Sequence, residues 1–357
     1  MKLYIVAGAR PNFMKVAPII KVLDGGNYPD VEYKLIHTGQ HYDFEMSESF
    51  FKDLKLPDPD AHLNVGSGTH AYQTALIMQK FEQVCLDDMP DIVMVVGDVN
   101  STLACALVAA KLPVVKLAHI EAGCRCDDRS MPEEINRIVT DSLSDYCFAM
   151  THHDVENLEA DGIGSKRIYL VGNVMIDNLM YYLPLIDNNK APKNSYILLT
   201  LHRAATVDNQ ESLSNILRAM DALSKDIGIE FLIHPRTENR ISEFGLEELT
   251  RHLHVRKPVG YLENVMLMNN ADLVITDSGG MQVETSVLGV PCLTLRESTE
   301  HASTLLEGTN LLVGSDIDII LTFANWVLSG KWKPPEESYK FERNASKRIV
   351  EILYGYD

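Results

Sequence analysis

Short, largely apolar runs alternate along this chain with longer amphipathic segments, and few folds accept that pattern. Runs at 3–7, 31–37, 91–96, 114–120, 146–150 and 168–171 have the length and β-branched content of strands buried on both faces. Helical periodicity occupies 12–23, 70–85, 101–110, 132–144 and 153–161 between them. Strand–helix–strand units in series build a parallel sheet covered on both faces, which is a doubly wound α/β domain. A polar cluster at 187–195, DNNKAPKNS, interrupts the series as a loop. The alternation then resumes, with strands at 196–201, 230–234, 273–277, 292–295 and 311–313 and helices at 210–225, 282–288 and 317–328. At 357 residues the chain exceeds what one hydrophobic core usually supports. Two Rossmann-like domains are therefore expected, 1–172 and 173–338, with a ligand cleft between them. A last helical pattern at 339–353 follows the Pro334-Pro335 break, and the terminal stretch 339–357 is expected to pack back on the first domain.

Composition removes several function classes. There are 32 Lys and Arg against 50 Asp and Glu, a net charge of −18, which argues against a nucleic-acid partner. An anionic small ligand stays compatible, because a few local cations override the global field. No apolar run reaches the roughly 18 residues of a membrane span. The N-terminal stretch MKLYIVAGARPNF is too short and too soon interrupted by Arg10 for a secretory signal, and reads as the first strand. Of the six cysteines, Cys85, Cys105, Cys147 and Cys292 lie in apolar surroundings as buried thiols. Cys124 and Cys126 flank Arg125 without the second Cys or His pair that zinc spacing needs, so no metal is expected. Free thiols fit a cytoplasmic location.

Three carboxylates stand where an open α/β sheet binds its ligand, beyond the carboxyl ends of the strands. Asp98 follows one apolar run in VVGDVNST, and Glu121 ends another in HIEAGCR. Glu133 follows Met131-Pro132, a proline suited to the first position of a helix. Carboxylates gathered closely cannot all stay ionised, so their pKa values split and acid and base roles become available near neutral pH. His119 precedes Glu121 by two, so in an extended strand both side chains would share a face.

Other strand ends carry groups suited to a phosphorylated ligand. Gly8-Ala9-Arg10-Pro11 joins strand to helix, with Lys15 one turn on, and Arg10 and Lys15 offer two cations to a diphosphate. Cations there oppose the helix dipole unless an anion binds. Asp277-Ser278-Gly279-Gly280 follows the strand LVIT and opens a helix, where glycines and first-turn N–H groups favour phosphate. Glu284, six residues beyond Ser278, is placed to accept from ribose hydroxyls. His202-Arg203 ends the strand YILLTL and His234-Pro235-Arg236 ends FLIH. Thr38-Gly39-Gln40-His41 follows another strand and offers neutral donors to a sugar.

Together these segments resemble the non-hydrolysing UDP-N-acetylglucosamine 2-epimerases. The resemblance spans nearly the whole chain through GARPNFMKVAPI, HTGQHYD, PDIVMVVGDVNSTLA, HIEAGCR, MPEEINRIVTD, VGNVMID, TLHR, HPRT, TDSGGMQVET and LGVPCLTLRESTE. It implies two Rossmann-like domains of the GT-B type, a homodimer, no cofactor, and interconversion of UDP-GlcNAc and UDP-ManNAc. The implied route eliminates UDP across C1–C2 to a 2-acetamidoglucal and adds it back with protonation on the other face. By match to the family motifs, Asp98, Glu121, Glu133 and His202 are the catalytic candidates. Arg10, Lys15, Arg137, His234, Ser278, Gly279, Gly280 and Glu284 are the candidates for UDP and substrate binding. Gln40 and His41, with His234, are candidates for a sugar or allosteric site. The implied context is polysaccharide precursor supply.

The chain departs from the family pattern at several positions. Ala204-Ala205-Thr206 replaces a more polar segment after TLHR, His301 stands where an Arg is usual, Asn264 where Phe is frequent, and Val283 where Glu is usual. These changes leave a variant substrate open, such as a 2,3-diacetamido uronic acid. A hydrolysing 2-epimerase, a GT-B glycosyltransferase and a non-catalytic nucleotide-sugar binder are the other readings.

Overall fold

The computed structural model describes residues 1–39, 54–126, 128–332 and 342–355, and of Arg10 the backbone alone. The chain forms two compact units, Met1–Asn178 with Glu342–Asp357, and Leu179–Phe341. The first contains a seven-stranded parallel sheet. Its strands are β1 Lys2–Ala7, β2 Glu32–His37, β3 Ala61–His62, β4 Ile92–Val96, β5 Lys116–Ala122, β6 Tyr146–Ala149 and β7 Ile168–Leu170, in the order β3-β2-β1-β4-β5-β6-β7. The helices are α1 Arg10–Asp24, α2 His70–Asp87, α3 Asn100–Ala109, α4 Pro132–Leu143, α5 His152–Ala160 and α6 Val174–Tyr182, the last running across the boundary between the units. The order reverses between β1 and β4, which puts a ligand crevice at the carboxyl ends of those strands. β4 shows why the sheet forms: all five residues of Ile-Val-Met-Val-Val are buried, as a strand covered on both faces requires.

The second unit repeats the plan with six parallel strands in the order β10-β9-β8-β11-β12-β13. These are β8 Tyr196–Leu201, β9 Gly228–Ile233, β10 His254–Arg256, β11 Leu273–Thr276, β12 Cys292–Thr294 and β13 Asn310–Leu312. Its helices are α7 Ala204–Val207, α8 Gln210–Leu223, α9 Pro235–Glu243, α10 Tyr261–Asn269, α11 Gly279–Leu288, α12 Ala302–Leu306 and α13 Ile317–Leu328. The reversal falls between β8 and β11. Side-chain caps open several helices: Asn209 accepts from Ser212 N–H for α8, and Asp316 from Asp318 and Ile319 N–H for α13.

The terminal helix α14, Ala345–Tyr354, belongs to the first unit and packs beside α1. Asp177 holds its start, accepting from the backbone N–H of Asn344 (2.7 Å) and Ser346 (2.7 Å) and from the Ser346 hydroxyl (2.8 Å).

Two expectations shift. The run at 114–120 is not a strand from its first residue: Val114 is 88% exposed with φ 65°, a left-handed conformation outside the β region, and it takes no part in the pairing. β5 begins at Lys116 and continues past Ile120 to Ala122. The helix expected at 282–288 begins three residues earlier, at Gly279, so both glycines of TDSGG lie inside its first turn.

Candidate functional site

In the first unit the crevice at the β1/β4 reversal is lined by charge. Asn12 ties its two sides together. Its Oδ1 accepts from Gly8 N–H (3.2 Å) and Ala9 N–H (3.0 Å), and its Nδ2 donates to the Val96 carbonyl (3.2 Å). Lys15, one turn into α1, forms a buried ion pair with Glu121. Burial works against the Lys15 charge, but Glu121 and then Asp98 outweigh it and hold the ammonium's pKa above its ordinary value. Asp98 follows Gly97 at the end of β4 and pairs with Arg137 of α4. Arg137 is itself buried, and its other nitrogen donates to Glu134 Oε2 at 2.7 Å. The structure therefore brings Lys15, Glu121, Asp98 and Arg137 into one cluster, with each carboxylate facing a buried cation. Glu133 lies half-buried in the first turn of α4, while its neighbour Glu134 is buried on Arg137 and the Cys126 N–H.

Glu121 departs from regular strand geometry. Its φ is 71°, and the pairing of β5 with β6 shifts register between Ile120 and Ala122. Strict alternation therefore breaks, and the expected shared face with His119 does not follow: Glu121 meets Lys15, whereas His119 bonds Asp141 and the Gly97 carbonyl. A non-glycine in this region is a strained position of the kind that clusters at functional sites.

In the second unit His202 follows β8 and Asp277 follows β11, the two strands at the reversal. Asp277 is fully buried and accepts three hydrogen bonds: from the His202 N–H (3.0 Å), the Arg203 N–H (2.8 Å) and His202 Nδ1 (2.9 Å). Burial pushes this carboxyl up, but His202 and the backbone donors prevail and its pKa lies below the usual range. An ionised Asp277 fixes the proton on Nδ1, so His202 presents Nε2 for chemistry. The motifs alone give Asp277 no role; its place at the end of a buried strand beside the Ser-Gly-Gly turn is the signal that points to one. Asp277→Asn is expected to lower turnover at least tenfold and move the pH profile, with UDP affinity nearly unchanged; kinetics and calorimetry check it.

Ser278 is the N-cap residue of α11, and Gly279 and Gly280 are its first residues. A side chain at Gly279 would meet Glu300 Oε1 at 2.7 Å and His301 Nε2 at 3.3 Å, so the glycine lets these side chains close on the helix start. Glu300 joins Arg203 (3.3 Å), Arg296 (2.7 Å) and His301 (3.8 Å) beside the helix start. His234 caps α9, accepting from the Arg236 N–H at 3.1 Å, and its ring centroid lies 6.2 Å from that of His202. Glu284 is buried and accepts from the Tyr261 hydroxyl at 2.8 Å; burial, only partly offset by that bond, raises its pKa to about 7. Val283, one of the departures, is buried beside it. The Arg10 side chain, Gln40 and His41 lie outside the described residues. All six cysteines are buried and free of disulfides, and among the described residues no group of three His, Cys, Asp or Glu side chains is arranged to hold a metal. No described helix is long and apolar enough to cross a membrane.

Two parallel sheets, each with charged groups at its strand-order reversal, define an α/β protein with two Rossmann-like domains of GT-B type. The chain belongs to the UDP-N-acetylglucosamine 2-epimerase family, whose model matches residues 26–354. It is 43% identical over 372 residues to the UDP-N-acetylglucosamine 2-epimerase of Methanocaldococcus jannaschii, covering 99% of this chain and 100% of that one. A crystal structure of the M. jannaschii enzyme in complex with UDP-GlcNAc and UDP superposes with a TM-score of 0.90 over 99% of each chain, at 42% identity. The chain is also 39% identical over 359 residues to the UDP-2,3-diacetamido-2,3-dideoxy-D-glucuronate 2-epimerase of Pseudomonas aeruginosa, covering 99% of each.

Proposed function

We propose that the protein epimerises C2 of a UDP-activated N-acetylhexosamine, converting UDP-GlcNAc to UDP-ManNAc and back without net hydrolysis. The observation that carries this reading is the pair of carboxylates at the β4 and β5 ends, Asp98 on Arg137 and Glu121 on Lys15. In the proposed reaction a base takes the proton from C2, and its electron pair forms the C1–C2 double bond as the C1–O bond breaks. UDP leaves with the bonding electrons. In the return step a UDP oxygen attacks C1 while an acid delivers a proton to the other face of C2. Asp98, Glu121 and Glu133 supply this acid–base chemistry, and His202, oriented by Asp277, assists. Negative charge on departing UDP is met by the N-terminus of α11 and by Arg10. The sequence of steps is redox-neutral and calls for no cofactor.

Glu284 is assigned to the ribose hydroxyls, which bind its ionised form. With a pKa raised to about 7, the carboxyl is largely neutral at pH 6 and ionised at pH 8. UDP affinity is therefore expected to fall about tenfold between pH 8 and pH 6, beyond any change owed to the phosphate itself. Titration calorimetry of the protein and Glu284→Gln checks it, since the variant loses that part of the slope.

A variant sugar is the second reading. It is favoured by His301, Asn264 and Val283 and by the likeness to the P. aeruginosa diacetamido-glucuronate enzyme. Homodimerisation and a place in polysaccharide precursor supply rest on family likeness, and a cytoplasmic location rests on the free thiols. Proton NMR of UDP-GlcNAc with the protein in D2O tests the main reading. UDP-ManNAc carrying deuterium at C2 is the expected product. Free UDP with a free sugar would assign hydrolysis instead, and the absence of exchange would remove UDP-GlcNAc as substrate.

A further inference from the structure

We infer that His119 and Asp141 are positioning residues, a buried imidazolium–carboxylate clamp that holds the strand ends bearing Asp98 and Glu121 in their reacting arrangement. The catalytic consequence rests on the epimerase reading; the geometry of the clamp does not.

His119 lies within β5 and is the only fully buried histidine among the described residues. Each ring nitrogen faces an acceptor. Nε2 is 2.9 Å from the Gly97 carbonyl oxygen, and Nδ1 is 2.6 Å from Asp141 Oδ1. A carbonyl has no proton to give, so Nε2 donates. Asp141 Oδ2 already accepts from the Gly123 N–H (3.1 Å) and from Arg125 (2.7 Å), the environment of an ionised carboxylate. Burial pushes that carboxyl up, but His119 and Arg125 outweigh it and keep it below its ordinary range. Nδ1 therefore donates as well, and the ring carries both protons. The assignment follows from the acceptors.

The consequence is mechanical. Gly97 immediately precedes Asp98 at the end of β4, and Gly123 follows Glu121 by two at the end of β5. One ring and one carboxylate join these two loops. The Gly97 N–H also donates to the Ile120 carbonyl at 3.1 Å, so Gly97 is bound to β5 through both of its polar groups. Glu121 between these ties sits in the left-handed region that L-residues avoid. Such a conformation persists only where its surroundings over-determine it. Removing the clamp lets Glu121 relax and lets the Asp98 loop drift. Neither His119 nor Asp141 need touch the sugar for turnover to fall.

Two variants and one spectrum test this. His119→Gln and Asp141→Asn are each expected to lower kcat about 100-fold, the scale of an ångström-sized misplacement, with KM and UDP affinity within about threefold. In wild-type protein carrying 15N-labelled histidine, one ring is expected to show two N–H protons slow to exchange, and this signal vanishes in either variant. Folding of each variant is checked by circular dichroism. A folded variant with unchanged kcat, or a His119 ring with a single N–H, overturns the clamp. If one variant fails to fold, the other and the wild-type spectrum still decide. If wild-type protein turns over no UDP-N-acetylhexosamine, the epimerase reading fails, while the number of N–H protons on the His119 ring still decides the clamp.

Discussion

Asp98→Asn and Glu121→Gln are each expected to lower turnover about 1,000-fold, with UDP binding retained. General acid–base groups contribute roughly 100- to 10,000-fold, and a 1,000-fold loss corresponds to about 4 kcal/mol of barrier. Both replacements are isosteric. The introduced glutamine keeps an oxygen to accept from Lys15, and the introduced asparagine keeps one for Arg137, so the cluster loses charge and proton exchange before it loses shape. Their cost in stability should differ from their cost in rate. Neutralising one partner of a buried pair leaves the other cation less well compensated, an effect that grows as the pair becomes drier. The Lys15–Glu121 pair is the drier, with 12% and 9% side-chain exposure, whereas the Asp98 side chain is 29% exposed. Glu121→Gln should therefore destabilise more than Asp98→Asn. Rates come from deuterium incorporation at C2, affinities from calorimetry and stabilities from thermal melts. Unchanged turnover in both variants would remove the pair from the mechanism.

Gly123→Ala is expected to destabilise the first unit by about 3 kcal/mol or more, in the range of the severe single substitutions. Gly123 has φ 83°, and an added Cβ would lie 2.2 Å from the Asp154 carbonyl oxygen, a backbone atom with no rotamer to escape through. That carbonyl cannot simply withdraw. Asp154 opens α5 in a capping box with Thr151, donating its N–H to the Thr151 hydroxyl at 3.2 Å and accepting from the Thr151 N–H at 2.9 Å. Gly162 provides the control: its φ is 82°, nearly the same, but nothing lies within 4 Å of its added Cβ. Gly162→Ala should cost only the left-handed strain, about 1 kcal/mol. The difference between the two melts isolates the clash. Equal shifts would mean that α5 moves freely and that the Gly123 turn is not braced. A folded Gly123→Ala protein would also lose rate, because Gly123 follows Glu121 by two and its N–H bonds Asp141.

The parallel architecture was legible in the sequence because it is written in composition at short range. A strand buried on both faces must be apolar nearly throughout; β4 is so at every position, and β8 departs only at Thr200. Boundaries were less legible where conformation is set by partners. Val114-Val115 has the composition of a strand, yet Val114 turns outward in a left-handed conformation and pairing starts two residues later. The helix at TDSGG begins on glycines, which carry no helical periodicity to count.

What the sequence by itself determined is which segments end at the two crevices: GARPN, VVGDVN and HIEAGCR in one sheet, and TLHR and TDSGG in the other. Strand ends follow from local apolar runs, whereas the two reversals of strand order are read from the folded sheets. What only the tertiary structure decided is which charge meets which. Lys15 pairs with Glu121 across 106 positions, Asp98 with Arg137 across 39, and Asp277 with the His202 N–H across 75. The left-handed turn at Glu121 belongs to the same group, since nothing local favours it. These choices depend on burial. A charge out of water must find its counter-charge among whatever groups the packed sheet brings near, and adjacency between strands at that distance in sequence is a property of the folded sheet alone.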